Sequence, residues 1–270
     1  AKGLVEILAL PKLESLILQD CKIGAMALKS LAMALKKSTT RHSSSLKFLD
    51  IRGNNIDDKA AIWLSQCLSH TSGAEAAAAN VAEGEENNHE KGMRISSLQN
   101  LAIDNNAIRT NGLDSLVHAL TEGEGGKQLQ RLTISMNPIG KNGALSIASL
   151  LQNCKQLTDL NLSWTKMSTL CDEFRDALGN NKQLLHLSLS HNSLNTDECT
   201  LLRDSLTNNH TLLGLHIQTG NCCSIDWSGI IHPAPATNGL RLRTLATLSY
   251  EGHTVSDGSG FGSQNCWLCE

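Results

Sequence analysis

The chain has 270 residues and a formal net charge of −3, and 40% of its residues are hydrophobic but only 3% are aromatic. Such a chain forms one or two domains with a core of leucine, isoleucine and alanine, which is typical of repeat solenoids and not of enzymes with deep ligand pockets. The weak negative charge gives no reason to expect nucleic acid or an acidic membrane as a partner, and no apolar run reaches the ~20 residues that a membrane-spanning helix requires.

The nine cysteines are an odd number and are scattered along the chain. A secreted repeat protein more often pairs its cysteines in capping modules, so this distribution favours a reducing compartment, and we expect a cytoplasmic protein. Two triplets that begin at Asn161 and Asn209 match the acceptor pattern for N-glycosylation. Such matches often arise by chance, and Asn161 falls within a predicted strand.

In chain order, residues 3–10 have the pattern of the end of a helix, which Pro11 terminates. A strand motif then recurs, in which three aliphatic residues are followed by a polar position and a final aliphatic residue. The motifs begin at Leu13, Leu46, Leu98, Leu129, Leu157, Leu184 and Leu212. Their spacings are 33, 52, 31, 28, 27 and 28 residues, and so regular a series indicates an internal repeat.

The motif from Leu184 to Leu194 fits the template L-x-x-L-x-L-x-x-N-x-L at every fixed position. Its leucines alternate with Ser188 as in a strand with one buried face, and the Asn192 amide is placed to satisfy backbone groups where the chain leaves the strand. The seventh motif is degenerate, with Gly220 in the polar position. In chain order, the polar positions hold Cys21, Asn54, Asn106, Asn137, Thr165, Asn192 and Gly220.

The segments between the strand motifs have the periodicity of amphipathic helices. Apolar residues recur at i, i+3, i+4 and i+7 in residues 24–37, 57–70 and 143–154, which predicts helices of about three turns. A strand and a full helix within ~28 residues is the long form of this repeat.

On these motifs the chain resembles the ribonuclease-inhibitor-like class of leucine-rich repeat proteins over residues 3–220. The resemblance implies an α/β solenoid of horseshoe shape, with parallel strands on the concave face and helices on the convex face. That class includes the GTPase-activating protein for Ran, tropomodulin-type actin-capping domains, sensor domains of innate immune receptors and ciliary scaffold proteins. We expect about seven repeats in residues 1–220, and a degenerate cap or the start of a further region in residues 221–270.

The 52-residue spacing contains an insertion near residues 71–94. Its low complexity, acidic bias and lack of aromatic residues predict no ordered structure, because it has too little apolar surface to offset the entropy of ordering. We interpret it as a neutral loop expansion at a helix-to-strand turn, where repeats tolerate additions.

Beyond residue 220 the repeat pattern weakens. Residues 240–248 carry four leucines, spaced as in one degenerate repeat or in the cap that a solenoid needs at its end. Cys266 and Cys269 have the spacing of half a zinc site, but the chain holds no second pair of this kind, so we expect no metal and no cofactor. The candidates for a second half are Cys222, Cys223, His232 and His253.

Residues beside the strand leucines should face the concave side, where neighbouring strands lie ~4.8 Å apart. In adjacent repeats this brings Arg131, Asp159 and His186 into one row, which predicts a charge ladder. Arg52 and Asp104 lie on the same predicted face, and we expect all five to contact a protein partner. The alternative is that the charges are solvated and contribute under ~1 kcal/mol per pair.

Just beyond the strands, Met136, Trp164 and His191 align in adjacent repeats and predict an apolar and aromatic ridge. Tryptophan and methionine are unusual on an exposed strand edge, so we expect this ridge to contact a protein partner. The alternative is that Trp164 packs inward against its own loop.

These patterns predict a non-enzymatic scaffold that binds a protein through its concave face and ascending loops, with no small-molecule substrate. The sequence has no Gly-rich phosphate loop and no His-Glu-x-x-His pattern, and Ser-His pairs on regular strands lack an oxyanion hole. Two alternatives stay open. One is a GTPase-activating protein, in which Arg52 or Arg109 would supply a catalytic arginine. The other is a structural component of a cytoskeletal or ciliary assembly.

Overall fold

The computed structural model describes residues 12–30, 45–68, 97–123, 125–207, 209–217, 220–225 and 231–233. Within these ranges, seven strands of three residues each form one parallel sheet in chain order. The strands are β1 (Ser15–Ile17), β2 (Phe48–Asp50), β3 (Asn100–Ala102), β4 (Arg131–Thr133), β5 (Asp159–Asn161), β6 (His186–Ser188) and β7 (Gly214–His216).

Each strand pairs with the next in the register that the motif predicts. The second leucine of one motif is the direct partner of the second leucine of the next, as in Leu132 with Leu160 and Leu160 with Leu187. The side chains between the leucines therefore form rows that run across the strands. The predicted repeat and its parallel sheet are confirmed.

Helices follow the strands and pack side by side along the chain. They are α1 (Asp58–Leu68), α2 (Thr110–Glu122), α3 (Gly143–Asn153), α4 (Asp172–Asn180) and α5 (Thr196–Leu206). Two of the predicted helices, over residues 57–70 and 143–154, correspond to α1 and α3. Residues 25–30 are also helical, and the remainder of that predicted helix, residues 31–37, lies outside the described ranges.

The sheet and the helices enclose one aliphatic core. The strand leucines form its inner layer, and Leu160 and Leu187 are 0% exposed. Phe174 of α4 is the largest of the fully buried side chains, so almost all of the core is aliphatic, as the composition predicts. Full burial of one such side chain stabilises the fold by about 1.5–3 kcal/mol, and each repeat contributes several.

The asparagines of the polar positions join each repeat to the one before it. Asn192 is completely buried, and its Oδ1 accepts the backbone N–H groups of Thr165 and Met167 at 3.0 and 3.2 Å. Its Nδ2 donates to the carbonyls of Leu162 and Leu189 at 2.7 and 3.1 Å. Asn54, Asn106 and Asn137 make equivalent bonds. The predicted role of Asn192 is confirmed.

The seventh repeat differs from the prediction, because Asn221 and not Gly220 fills its polar position. Asn221 Oδ1 accepts the backbone N–H of Leu194, and its Nδ2 donates to the carbonyls of Leu189 and Ile217. The loop holds one more residue than the template allows, and this shifts the asparagine by one place.

Two further buried asparagines link the repeats at the opposite ends of the strands. Asn181 Nδ2 donates to the Leu151 carbonyl at 2.8 Å, and Asn209 Nδ2 donates to the Leu178 carbonyl at 2.7 Å. Both are buried, so Asn209 is enclosed in the turn and is a poor glycosylation acceptor. The sequence motif does not include these positions.

After the seventh strand, β8 (Cys223–Ile225) and β9 (Ile231–Pro233) form an antiparallel hairpin that packs against α5. Ile225 and Ile231 are buried in the core cluster, so the hairpin covers the end of the last repeat. The insertion near residues 71–94, the four leucines of residues 240–248, and Cys266 and Cys269 all lie outside the described ranges. In the part of the chain that is described, no helix has the length and apolar character to cross a membrane.

Candidate interaction surface on the concave face

The concave face is built from the side chains that alternate with the strand leucines. Arg131, Asp159 and His186 are direct register partners in β4, β5 and β6, as predicted. Beyond the third aliphatic residue of each motif, such as Leu189 in the sixth, the chain turns away from the sheet toward the helix layer. We call this segment the ascending turn.

The first residue of the ascending turn after the concave row has a positive φ in every repeat. The angles lie between 52° and 77° and belong to Asp20, Gly53, Asn105, Met136, Trp164, His191 and Gly220. The backbone N–H of this residue donates to a carbonyl of the next repeat, that of the residue just before the equivalent turn position. Examples are Met136 to Ser163 at 2.9 Å and Trp164 to Ser190 at 3.0 Å. The left-handed conformation is therefore a requirement of the repeat.

Three successive repeats place bulky side chains at this turn position. The left-handed region is favourable for glycine and tolerable for asparagine and aspartate, which occupy the position in four repeats. Met136, Trp164 and His191 accept a conformation that costs an ordinary side chain roughly 1–2 kcal/mol. Strain of this kind is a reason to look for function in the side chains that bear it.

The ridge formed by Met136, Trp164 and His191 is exposed on the protein surface. Met136 is 52% exposed and Trp164 is 50% exposed, so the tryptophan does not pack inward. The Trp164 indole stacks on the His191 imidazole with ring centroids 3.9 Å apart and planes 12° from parallel. The stack covers one face of each ring, so the outer face of the indole and the ring edges are what Trp164 can offer to a partner.

His191 is held between the tryptophan and the turn of the last repeat. A Cβ on Gly220 would lie 2.6 Å from the His191 Cα and 2.9 Å from its Nδ1, so only glycine allows this approach. The surrounding groups shield the imidazole from water, and this burial lowers the pKa of His191. The neutral ring is therefore favoured, which suits stacking in an apolar contact.

The charged row lies at the other end of the strands. Arg131 Nε lies 3.6 Å from Asp159 Oδ2, and the arginine side chain is 47% exposed whereas that of the aspartate is 9% exposed. Thr158 Oγ1 also donates to Asp159 Oδ2 at 2.7 Å. His186 Nδ1 lies toward β7, where a Cβ on Gly214 would be 2.4 Å away. The structure thus pairs two members of the ladder and packs the third over a glycine.

Small hydroxyl side chains form the surface between the charged row and the ridge. Ser163 Oγ lies 2.5 Å from Ser188 Oγ, and Ser135 Oγ donates to Asp104 Oδ1 at 2.6 Å. Ser188 is buried, so the partly exposed Ser135 and Ser163 form the shallow hydroxyl floor beside Trp164. Hydroxyl groups can donate or accept, so the floor can hydrogen-bond a peptide backbone.

The two other predicted site residues have partners within the concave face. Arg52 makes a bidentate pair with the buried Asp50, with distances of 3.0 Å from Nε to Oδ1 and 2.6 Å from Nη2 to Oδ2, and this hydrogen bonding raises the pKa of Arg52. Asp104 accepts hydrogen bonds from Thr133 Oγ1 and from the backbone and side chain of Ser135. Both are part of the concave surface, and Asp104 holds the residue that directly precedes Met136 of the ridge.

Two features of this surface were not predicted from the sequence. One is the left-handed turn, in which Met136, Trp164 and His191 stand where the other repeats hold glycine, asparagine or aspartate. A positive φ also occurs two residues further along three of these turns, at Lys22, Lys166 and Ser193. The other is the role of Gly220 as the glycine against which His191 packs. The only signal in the sequence was the recurrence of Gly, Asn and Asp at the same position of the other repeats. Among the described residues, no group of three His, Cys, Asp or Glu side chains is arranged to hold a metal ion.

The solved structures that are similar to this chain include an actin-binding site of leiomodin and a tropomodulin domain. One is titled "Leiomodin-1 Actin-Binding Site 2", with 18% identity, a TM-score of 0.40, and coverage of 58% of this chain and 76% of that one. The other is a tropomodulin C-terminal domain from Caenorhabditis elegans, with 13% identity, a TM-score of 0.39, and coverage of 77% and 92%.

Curated relatives include "NACHT, LRR and PYD domains-containing protein 4E" of Mus musculus, which is 28% identical over 229 residues, covering 81% of this chain and 22% of the relative. Protein 14 of the same series, from Homo sapiens, is 25% identical over 249 residues, covering 89% and 20%. The chain spans about a fifth of the length of these relatives.

A family model described as "Leucine Rich repeat" matches residues 9–32 and 42–65, which hold the first two strand motifs. The remaining motifs pair with these two in one continuous register, and their asparagines make the same bonds between repeats. The chain is built from leucine-rich repeats that form an α/β solenoid.

Proposed function

We propose that this chain is a non-enzymatic protein-interaction scaffold of the ribonuclease-inhibitor-like kind, which binds a protein partner through its concave face and ascending turns. The observation that carries the proposal is the ridge of Met136, Trp164 and His191. Its side chains occupy a backbone conformation that disfavours them, and two of them are half-exposed to solvent. These side chains do not favour folding at this position, so we infer that their role is contact with a partner.

The ridge has the features of a binding hot spot. Aromatic side chains lose little conformational entropy when they are buried, and interface energy is concentrated in a few tryptophan, tyrosine and arginine residues. An apolar group of the partner placed against Trp164 and Met136 would desolvate both. The hydroxyl floor beside the ridge can hydrogen-bond the partner, and Arg131 with Asp159 forms a polar rim.

The other roles have less support. A catalytic arginine must reach out to a bound nucleotide, whereas the Arg52 guanidinium is held by Asp50. Arg109 is exposed at the start of α2, but no further catalytic group accompanies it in a recognisable motif. We place the protein in the cytoplasm, because the scattered cysteines favour a reducing compartment.

The proposal is tested by Trp164→Asn, since Asn105 holds the same turn position and the substitution keeps the backbone conformation favourable. A partner is first identified by proximity labelling, and its affinity is then measured by calorimetry. Removal of the aromatic anchor should weaken binding at least ~30-fold, which corresponds to ≥ ~2 kcal/mol. The unfolding temperature should stay the same or rise, because a strained residue is replaced.

Gln19→Asn is the matched control, because Gln19 is exposed on the concave side of the first repeat, four strands from Trp164. It should leave the affinity nearly unchanged. A Trp164→Asn protein that folds normally and binds the partner as tightly as the wild type would remove the ridge from the interface.

A further inference from the structure

Three successive helix-to-strand turns carry the same tripeptide, Lys-Gln-Leu. It occupies residues 127–129, 155–157 and 182–184. The leucine of each tripeptide is buried, whereas Lys127, Lys155 and Lys182 are exposed. His210 is exposed at the equivalent position of the next repeat.

The three lysines stand next to each other along one edge of the sheet. Each precedes by four residues a member of the row Arg131, Asp159 and His186, whose members are direct register partners. Neighbouring parallel strands lie ~4.8 Å apart, which is less than the Debye length of ~8 Å at physiological ionic strength. Adjacent ammonium groups on this edge therefore repel each other.

The repeat itself does not require these lysines. In the sequence, the equivalent positions of earlier motifs hold Pro11, Ser44 and Ser96. A lysine near the end of a helix gains from the helix dipole, but the repulsion between neighbouring like charges opposes this gain. In the described ranges, Lys155 and Lys182 form no salt bridge with an acidic side chain, and Lys155 Nζ donates to the backbone carbonyl of Gln152, which leaves its charge without an anion. An external anion would relieve the repulsion.

The glutamines that follow the lysines add neutral donors to the same edge. Gln128 and Gln156 are exposed and Gln183 is partly exposed. Side-chain amides donate to carboxylates, so each turn presents one cation and one amide donor. The opposite edge of the solenoid is mixed in charge: the first turns of α4 and α5 carry Asp172, Glu173, Asp197 and Glu198, and three exposed lysines lie on the same edge.

We propose that the Lys-Gln edge, formed by Lys127, Lys155, Lys182 and the glutamines that follow them, binds an acidic segment of a partner protein. Carboxylates on one face of a helix repeat every 5–6 Å, close to the spacing of the repeats. Nucleic acid is the less suitable partner, because single strands bind by stacking bases on aromatic side chains. The exposed Trp164 lies at the other end of the strands. This surface is separate from the ridge.

The test uses a fluorescein-labelled octaglutamate peptide and the full chain, with binding followed by fluorescence anisotropy. The triple variant K127Q/K155Q/K182Q should bind the peptide at least ~10-fold more weakly than the wild type, from the loss of three charge pairs. Raising the salt from ~20 to ~150 mM should weaken wild-type binding, because exposed charges are screened.

The control variant K22Q/K141Q/K166Q removes the same charge from the opposite edge, where all three lysines are exposed. Both variants have a net charge of −6, from −3 minus three lysines. The control should weaken binding by less than ~2-fold, which is at the low end of the free energy that one exposed ion pair contributes. Thermal melting verifies that both variants fold.

Equal weakening by the two variants would overturn the proposal, because it would mean that only net charge matters. Unchanged binding by the Lys-Gln variant would also overturn it. So would an oligothymidine that binds this edge more tightly than the peptide, which would assign the edge to nucleic acid. Trp164→Asn should leave peptide binding unchanged, so failure here is distinct from failure of the ridge.

Discussion

At the scale of single residues, the contacts that join the repeats are made mainly by asparagine. The leucines fill the core without preference for direction, whereas each buried amide reaches from one repeat to specific carbonyl and N–H groups of its neighbour. A buried backbone group that loses its partner pays the full cost of desolvation. The asparagines therefore fix how the repeats stack.

Asn192→Ala should lower the free energy of unfolding by ~1–3 kcal/mol, because it leaves the N–H groups of Thr165 and Met167 and the carbonyl of Leu162 without their partner. Urea denaturation monitored by circular dichroism measures the change. Asn153→Ala is the matched control: this exposed asparagine, at the end of α3, donates only to groups of Ser149 one turn earlier. It should change stability by less than ~0.5 kcal/mol. Equal effects from both substitutions would contradict the inter-repeat role.

The sequence was sufficient to predict Asn192 because its position is part of the motif. It was not sufficient for Asn221, because a one-residue insertion in the loop moves the asparagine out of the template. Asn181 and Asn209 stand at the same place, three residues before Leu184 and Leu212, but they were missed because the position lies outside the strand template and the earlier motifs do not hold asparagine there. The stacking of Trp164 on His191 could not be predicted from the sequence either, since alignment in a row does not specify ring orientation.

At the scale of elements, each strand has only three residues and derives its stability from the leucines that it places in the core. Isolated short strands are unstable, so the pairing and the burial form together. The strands and helices were predictable because both periodicities recur in register through the chain. The hairpin of β8 and β9 was not, because it occurs once and has no repeat to support it.

Leu187→Ala should lower the free energy of unfolding by ~2–5 kcal/mol, because Leu187 is 0% exposed in β6 and the substitution leaves a cavity between stacked repeats. Leu145→Ala is the same chemical change on α3 at a side chain that is 58% exposed, and it should be nearly neutral. Both are measured by urea denaturation. A neutral Leu187→Ala would mean that the assigned register is wrong.

At the scale of the whole molecule, the repeats on either side of the insertion are joined directly. Phe48 of β2 pairs with Asn100 of β3, and α1 packs against α2. In a solenoid each repeat contacts its neighbours, and stability is approximately the sum of the repeats and of the interfaces between them. The strand pairing and the helix contact that join these two repeats are made by residues outside the insertion.

Deletion of residues 73–91 should change the free energy of unfolding by less than ~2 kcal/mol, because the segment has too little apolar content to stabilise a core. Nine residues would remain between Leu68 and Ser97, from 28 minus 19. Thermal and urea unfolding measure the effect, and replacement of the same residues by a Gly-Ser sequence of equal length is the control. A larger loss in both variants would show that the segment packs against the solenoid.

The left-handed turns have a consequence for engineering. Selection of this protein for heat resistance alone should replace Met136, Trp164 and His191 with glycine, asparagine or aspartate, the residues that the other repeats carry at this turn. Each such change relieves the strain of the left-handed backbone conformation, so the most stable variants would be those that have lost the three ridge side chains. Replacement of these residues by the consensus of the other repeats would thus yield a more stable solenoid that lacks the exposed ridge. The loss of partner binding would be detected only in a binding measurement.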